Sequence, residues 1–235
     1  RLREMRYMGG KARTASHIVA FLESVRKPSQ VYVEPFVGAG WILTKLEGER
    51  IASDSCLDLI LLWESLQKGW IPPDTISEAE YQQLKASTIP SALRAFAGFG
   101  CSFAGKWFGG YARSGSRNYA SNARNSLLKK VQQLNDVRFI CTDYASLKPT
   151  DALIYCDPPY SGTTGYGATE KFDWVRFWGT VRQWSAANTV IISEYAAPDD
   201  FACVLEIPTK TDMRIASGDK ERRIERLFQY KSPSL

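Results

Sequence analysis

Val31-Tyr32-Val33-Glu34-Pro35-Phe36-Val37-Gly38-Ala39-Gly40 joins a short apolar strand to a turn that carries a carboxylate and two glycines. In open α/β sheets the carboxyl ends of parallel strands are where ligands bind. Gly38 and Gly40 let the backbone approach a ligand closely, and Glu34 is placed to pair with a cationic group such as an α-ammonium. A G-x-G turn alone also occurs in purely structural loops, so its surroundings decide. On the amino-terminal side, Ile18, Val19, Phe21, Leu22 and Val25 are spaced for a helix over Ala15–Val25, ending before Pro28. On the other side the pattern predicts a helix over Trp41–Leu46, a second strand over Arg50–Asp54 and a second, strongly apolar helix over Leu57–Leu66. Strand, glycine-bearing turn and helix in repetition are the βαβ pattern of a doubly wound sheet. Asp54 ends the second strand 20 residues after Glu34, where a cofactor ribose needs hydroxyl acceptors. The third glycine of the dinucleotide fingerprint is absent and Leu43 stands in its place, so a nucleoside cofactor without a pyrophosphate fits better than NAD.

The rhythm stops at Lys68 and resumes near Ser121–Leu134, a predicted helix, followed by strands at Val137–Cys141 and Ala152–Cys156. Beyond them come a helix over Asp173–Ser185, a strand over Thr189–Ser193 and candidate closing antiparallel strands at Cys203–Ile207 and Leu227–Tyr230. This divides the chain into an α/β catalytic unit over 1–67 and 125–235 and an insertion over 68–124. From Tyr81 to Asn135 there is no Asp or Glu, yet eight basic residues fall there, while the rest of the chain has 22 basic against 25 acidic side chains. The excess positive charge, +5 for the whole chain, therefore belongs to one segment, as expected of a nucleic-acid contact.

The length of 235 residues supports one sizeable core with a small insertion. No apolar run is long enough to span a bilayer and Arg1–Gly10 does not resemble a signal peptide, which predicts a cytoplasmic protein. The five cysteines are widely spaced and odd in number, pointing to reduced, mostly buried thiols. With a single histidine, His17, on an ordinary helix, no metal site is expected.

The most specific stretch is Asp157-Pro158-Pro159-Tyr160, at the end of the apolar strand Ala152-Leu153-Ile154-Tyr155-Cys156. Two consecutive prolines fix φ twice and remove two backbone donors, so the carboxylate, the Pro158 carbonyl and the Tyr160 ring form a rigid array of acceptors beside a flat face. An exocyclic amine offers two N–H donors. A carboxylate and a carbonyl accepting both would favour a pyramidal nitrogen whose lone pair is free to attack an electrophilic methyl group.

Arg6-Tyr7-Met8-Gly9-Gly10-Lys11, Val33–Gly40 and Asp157–Tyr160, in this order, resemble the amino-terminal, cofactor and catalytic motifs of the Dam-type DNA adenine methyltransferases. The resemblance implies a Rossmann-like seven-stranded methyltransferase sheet, S-adenosylmethionine as donor, double-stranded DNA as partner, base flipping and a target-recognition insertion. It implies catalytic roles for Asp157, Pro158, Pro159 and Tyr160. Carried onto this chain, it places Tyr7 and Lys11 at the edge of the cofactor and active sites, and Glu34, Pro35, Phe36, Gly38 and Gly40 at the methionine end. Asp54 falls at the ribose, and Asp143 with Tyr144 at the adenine ring of the cofactor. The chain departs from the family in having Tyr at position 7 where Trp is frequent, Ser193-Glu194-Tyr195 in place of a Ser-Asn-type motif, and a short, glycine-rich insertion.

In that insertion Arg94, Lys106, Arg113, Arg117 and Arg124 are expected to meet phosphate, with Asn118 and Trp107 also at the DNA. Phe96, Phe99, Phe103, Trp107, Phe108, Tyr111 and Tyr119 could stack on the duplex, but a small core of its own would claim about half of them. Ser161–Gly167 is expected to be a flap over the flipped base, and Lys210–Arg226 a charge-dense loop or a solvated hairpin with Arg214, Lys220, Arg222 and Arg223 near phosphate. Few side chains suited to reading base edges are present, which predicts short or relaxed specificity. The same acceptor pair would serve cytosine N4, and an inactive DNA-binding module would keep the basic segment without needing Asp157 or Tyr160. No Pro-Cys nucleophile supports methylation at a ring carbon, and RNA is a less favoured substrate than DNA.

Overall fold

A computed structural model describes residues 11–159, 172–214 and 220–231, with the side chains of 209–214 and 220–223 outside that description. Seven strands form one sheet: β1 (Tyr32–Glu34), β2 (Arg50–Asp54), β3 (Val137–Cys141), β4 (Leu153–Cys156), β5 (Thr189–Glu194), β6 (Phe201–Arg214) and β7 (Lys220–Tyr230). Their order across the sheet is β3-β2-β1-β4-β5-β7-β6. The first five strands are parallel and β7 inserts antiparallel between β5 and β6. This is the Rossmann-like α/β sheet expected. The chain runs outward from β1 in one direction through β2 and β3 and in the other through β4 and β5, so the switch point lies between β1 and β4.

Strand alternation divides the core between the two faces of the sheet. Tyr32, Tyr155, Ile191 and Leu227 pack under α1 (Ala15–Val25) and α2 (Leu57–Gln67), whereas Val33, Ile154, Ile192 and Phe228 meet Phe177, Val181 and Trp184 of α6 (Trp174–Ser185). The connection between α2 and β3 holds α3 (Glu78–Ala86), α4 (Ala92–Ala95) with a π-helical turn over Phe96–Gly100, and α5 (Tyr119–Val131). A Ser77–Glu80 capping box opens α3. Gly98 and Gly100 permit the tight packing here: a β-carbon at Gly98 would lie 2.5 Å from the Trp107 ring, and one at Gly100 2.8 Å from Ala123 Cβ. Tyr81, Phe96, Phe99 and Phe108 consequently join Trp63 and Leu66 in one continuous core.

Three expectations need correction and one open alternative is decided. Trp41–Leu46 is not an α-helix but a turn with a single 3-10 turn at Leu43–Lys45. The chain must double back from Gly40 to β2 within nine residues, and Thr44 and Arg50 draw the Gly40 and Leu43 carbonyls into side-chain hydrogen bonds. Secondly, α5 starts at Tyr119 where Asn118 caps it, earlier than the predicted helix. Of the two readings of Lys210–Arg226, the hairpin holds, since the β6–β7 ladder continues to Arg214 and Lys220; its charged residues conceal a pairing carried by backbone hydrogen bonds. Finally, the five thiols are free but only Cys101 and Cys156 are buried; Cys141 and Cys203 are exposed because they lie on the two edge strands, β3 and β6.

Arg50 ties the first crossover to the return from the insertion. Its guanidinium donates to the carbonyls of Gly48 (3.0 Å), Leu43 (3.1 Å), Gln133 (2.8 Å) and Asn135 (2.5 Å). Four acceptors satisfy a largely buried cation, and losing it would orphan several of them together. Arg50→Met should therefore lower stability by about 2–4 kcal/mol in urea unfolding, seen as a lower midpoint with an unchanged slope. A change below about 0.5 kcal/mol would show that water replaces the guanidinium at no cost.

Candidate active site

The register aligns the carboxyl ends of the parallel strands, so Glu34 at the end of β1, Asp54 at the end of β2 and Asp157 directly after β4 share one edge of the sheet. Glu34 and Asp157 flank the switch point. Between β1 and β2 the glycine loop turns with Gly38 at φ 45° and Gly40 at φ 62°, a left-handed backbone that suits glycine at both positions. It is held from behind by three separate elements. The Gly38 N–H donates to Asp54 Oδ2 (3.3 Å), Trp63 Nε1 of α2 donates to the Gly38 carbonyl (3.0 Å), and Lys130 Nζ of α5 donates to the Ala39 carbonyl (2.6 Å). A β-carbon at Gly40 would press on the Trp63 ring at 3.2 Å. The loop is thus a preformed cradle.

Glu34 is 3% exposed and accepts a hydrogen bond from the Tyr32 hydroxyl (2.7 Å). Burial lifts its carboxyl to about 8; the Tyr32 bond, the Leu43 backbone amide and Lys130 oppose that rise, while Asp157 adds to it. Asp54 accepts from Gly38 and from the Cys56 N–H (3.0 Å), and burial lifts it to about 6 against those bonds. Asp143 caps the turn after β3 through the Ala145 N–H (2.9 Å) and takes both arms of Arg176 from α6, at 2.9 and 2.7 Å. The Arg176 guanidinium lies 5.3 Å from the centre of the Tyr144 ring, and that ring packs on Phe36 with centroids 5.2 Å apart. Pro35 and Phe36 lead from β1 into the cradle.

At the other side of the switch point, Asp157 is followed by Pro158 and Pro159. Lys11, itself 5% exposed, bridges Asp157 Oδ1 (2.9 Å) and Glu225 Oε1 of β7 (3.1 Å), and Glu225 also accepts from the Ser193 hydroxyl. Burial raises Asp157 to about 6, Lys11 pulls it down and Glu225 pushes it up. Tyr7, Tyr160, Ser161–Gly167 and the side chains of Arg214, Lys220, Arg222 and Arg223 lie outside the described residues.

Sequence reasoning brought together Lys11, Glu34, Phe36, Gly38, Gly40, Asp54 and Asp157, but it missed Glu225, Arg176 and Lys130. Nothing local marks Glu225 or Arg176. Lys130 carried a signal, because Ala123 and Leu127 place it on the buried stripe of α5. Among the DNA candidates, Lys106, Arg117, Arg113 and Asn118 are exposed, with Arg113 paired to Glu78 and Asn118 bonded to the Asp74 carbonyl. Arg124 lies 3.6 Å from Asp74. Arg94 and Trp107 are committed inward: Arg94 pairs with Asp58 at 2.6 Å and covers the Trp107 ring at 5.0 Å. Of the insertion's aromatics, Phe103 is 70% exposed, whereas Phe96, Phe99 and Phe108 are buried.

Residues 7–91 match the family model of the D12 class N6 adenine-specific DNA methyltransferases. The match contains Lys11, Glu34, the glycine cradle and Asp54; Asp157 lies beyond it. It supports the resemblance to the Dam-type enzymes and S-adenosylmethionine as the cofactor. No curated protein matches. Similar solved structures include a provisionally assigned RNA methyltransferase from Pyrococcus horikoshii, 11% identical over 97% of this chain and 86% of that one, with a TM-score of 0.43. Another is a provisionally assigned methyltransferase from Streptococcus mutans in complex with SAH, 8% identical over 93% of this chain and 98% of that one, at TM-score 0.39.

The pKa of Glu34 gives a direct check on this geometry. A folded-state value of about 8 against an ordinary 4.5 means that the fold favours the protonated acid. That contribution is complete below about 4.5 and is lost as pH rises through about 8. Glu34→Gln keeps an acceptor for Tyr32 without the charge. Unfolding free energies of the ligand-free protein should fall between pH 5 and 8 by roughly 3–4 kcal/mol more in the wild type than in Glu34→Gln. Parallel pH curves for the two would place Glu34 in contact with water.

Proposed function

We propose that the protein transfers a methyl group from S-adenosylmethionine to the N6 amine of a flipped adenine in double-stranded DNA. The observation that carries this reading is the placement of Asp157-Pro158 and the Glu34–Gly40 cradle on opposite sides of one switch point, so that a donor in the cradle and an amine at Asp157 would meet. The residues suit the donor chemically. Glu34 would hold the α-ammonium, Asp54 the ribose hydroxyls, and Phe36, Asp143 and Tyr144 the methionine and adenine ends. When bound, the cofactor supplies an electrophilic methyl group.

The chain's own residues act on the amine. The Asp157 carboxylate and the Pro158 carbonyl accept its two hydrogens, freeing the nitrogen lone pair, and Pro159 keeps the turn from relaxing. Lys11 fixes the Asp157 carboxylate while Glu225 balances the ammonium. The Tyr160 ring stacks on the extruded base. Lys106, Arg113, Arg117 and Asn118 line the DNA side of the insertion, Arg124 lies nearby, and Arg94 with Trp107 supports that surface from beneath. The family match favours adenine over cytosine N4. With few base-reading side chains on the insertion, recognition is short or relaxed.

Asp157→Asn should reduce methyl transfer to DNA by about 10²-fold or more, since an amide cannot accept in the same way at both positions. Calorimetric affinity for S-adenosylhomocysteine should stay within a few-fold. Normal turnover by the variant would remove Asp157 from the chemistry. In the wild type, kcat/KM should fall as pH drops through about 6, where the carboxyl is protonated.

DNA affinity should weaken steeply with salt, and Lys106→Ala or Arg117→Ala should weaken binding about equally on unrelated sequences. Loss confined to one sequence would make these residues base readers.

A further inference from the structure

Lys130 stands in the basic segment, yet it is only 8% exposed. Its ammonium donates to the Ala39 carbonyl inside the glycine cradle at 2.6 Å and sits 3.5 Å from the centre of the Trp41 ring. Trp41 is itself buried, and its indole N–H finds no hydrogen-bond acceptor among the described residues, so it is placed for its face and not for its donor. Removing an ammonium from water costs several kcal/mol unless charge and hydrogen bonds replace the lost hydration. The Ala39 carbonyl and the Trp41 ring face supply part of that replacement. Leucine or methionine would fill the same site on α5 at no such cost, and the chain carries a cation there instead.

The location gives that cation a use. Lys130 reaches the cradle from behind while the α-ammonium of a donor would approach Glu34 from the open edge. Glu34 is faced by Tyr32 within β1, by the Leu43 amide of the following turn, by Asp157 beyond β4 and by Lys130 from α5. Lys130 opposes the burial that keeps Glu34 neutral, and Asp157 reinforces it. An ionised Glu34 is what an α-ammonium requires. The same contact holds the Ala39 carbonyl inward, leaving the cradle's outer side to the ligand.

We propose that Lys130 is a positioning residue for the methionine end of the cofactor: from α5 it holds the Ala39 carbonyl inward and places a positive charge near the Glu34 carboxyl that receives the α-ammonium. The proposal rests on the reading of the glycine cradle as the S-adenosylmethionine site. Its distinguishing consequence is that the contribution of Lys130 should be confined to ligands with an amino-acid end.

Calorimetric titration of the whole protein with S-adenosylhomocysteine and with 5′-methylthioadenosine, which lacks that end, separates the cases. Lys130→Met should weaken S-adenosylhomocysteine about tenfold or more and leave 5′-methylthioadenosine within about twofold; a tenfold change corresponds to about 1.4 kcal/mol. The pH midpoint for S-adenosylhomocysteine binding should also move upward in the variant, because Glu34 has lost a favourable charge. Equal losses for both ligands, or none for either, would overturn the proposal and leave Lys130 a packing staple. Failure of the wild type to bind S-adenosylhomocysteine would instead overturn the reading of the cradle. If Lys130→Met does not fold, lysine-labelled wild-type protein serves: the Lys130 ε-carbon resonance should shift with S-adenosylhomocysteine and not with 5′-methylthioadenosine. A shift with both or with neither contradicts the proposal.

Discussion

Carboxylates gathered at one edge of the sheet are the constraint on which the rest of the structure depends. Glu34, Asp54 and Asp157 lie at the ends of neighbouring parallel strands, where burial disfavours their charge, Asp157 adds to the cost at Glu34 and Glu225 adds to it at Asp157. The fold answers with cations and amides drawn from distant segments. Lys11 comes from the turn before α1, Lys130 from the helix that leaves the insertion, and the Gly38 and Cys56 amides from the loops on either side of β2. Arg176 does the same for Asp143 at the next strand. The site is therefore electrostatically incomplete in any one element and is assembled only when the sheet, α5 and the amino-terminal turn are all in place.

This explains what was legible beforehand. Strands β1 to β5 and helices α1, α2 and α6 follow from local periodicity, and strand ends place Glu34, Asp54 and Asp157 on one edge without any knowledge of packing. The 3-10 turn after Gly40 was not legible, because its cause is Arg50, a residue that reaches four carbonyls from two separated loops. Glu225 was hidden for a similar reason: it meets Lys11 through the pairing of β7 beside β5, a partnership more than 200 residues apart in the chain. Lys130 was counted only as one charge of the basic segment, although helical spacing from Ala123 and Leu127 placed it inside.

The insertion shows the opposite balance. Its bases suggested a DNA surface and about half of its aromatics a small core of their own; Phe96, Phe99, Phe108, Trp107 and Tyr111 pack into the core shared with α2, with Arg94 locked between Asp58 and Trp107. What remains outside is a thin set of exposed side chains, including Lys106, Arg117, Asn118 and Phe103. Such a surface suits backbone contact better than base reading.

The account as a whole stands on the identity of the methylated atom. Incubating the protein with isotopically labelled S-adenosylmethionine and either duplex DNA or RNA, followed by mass spectrometry of the digested nucleosides, reads it directly. The label should appear as N6-methyldeoxyadenosine from DNA; label confined to N4-methyldeoxycytidine, or found only in RNA nucleosides, would contradict the proposed function.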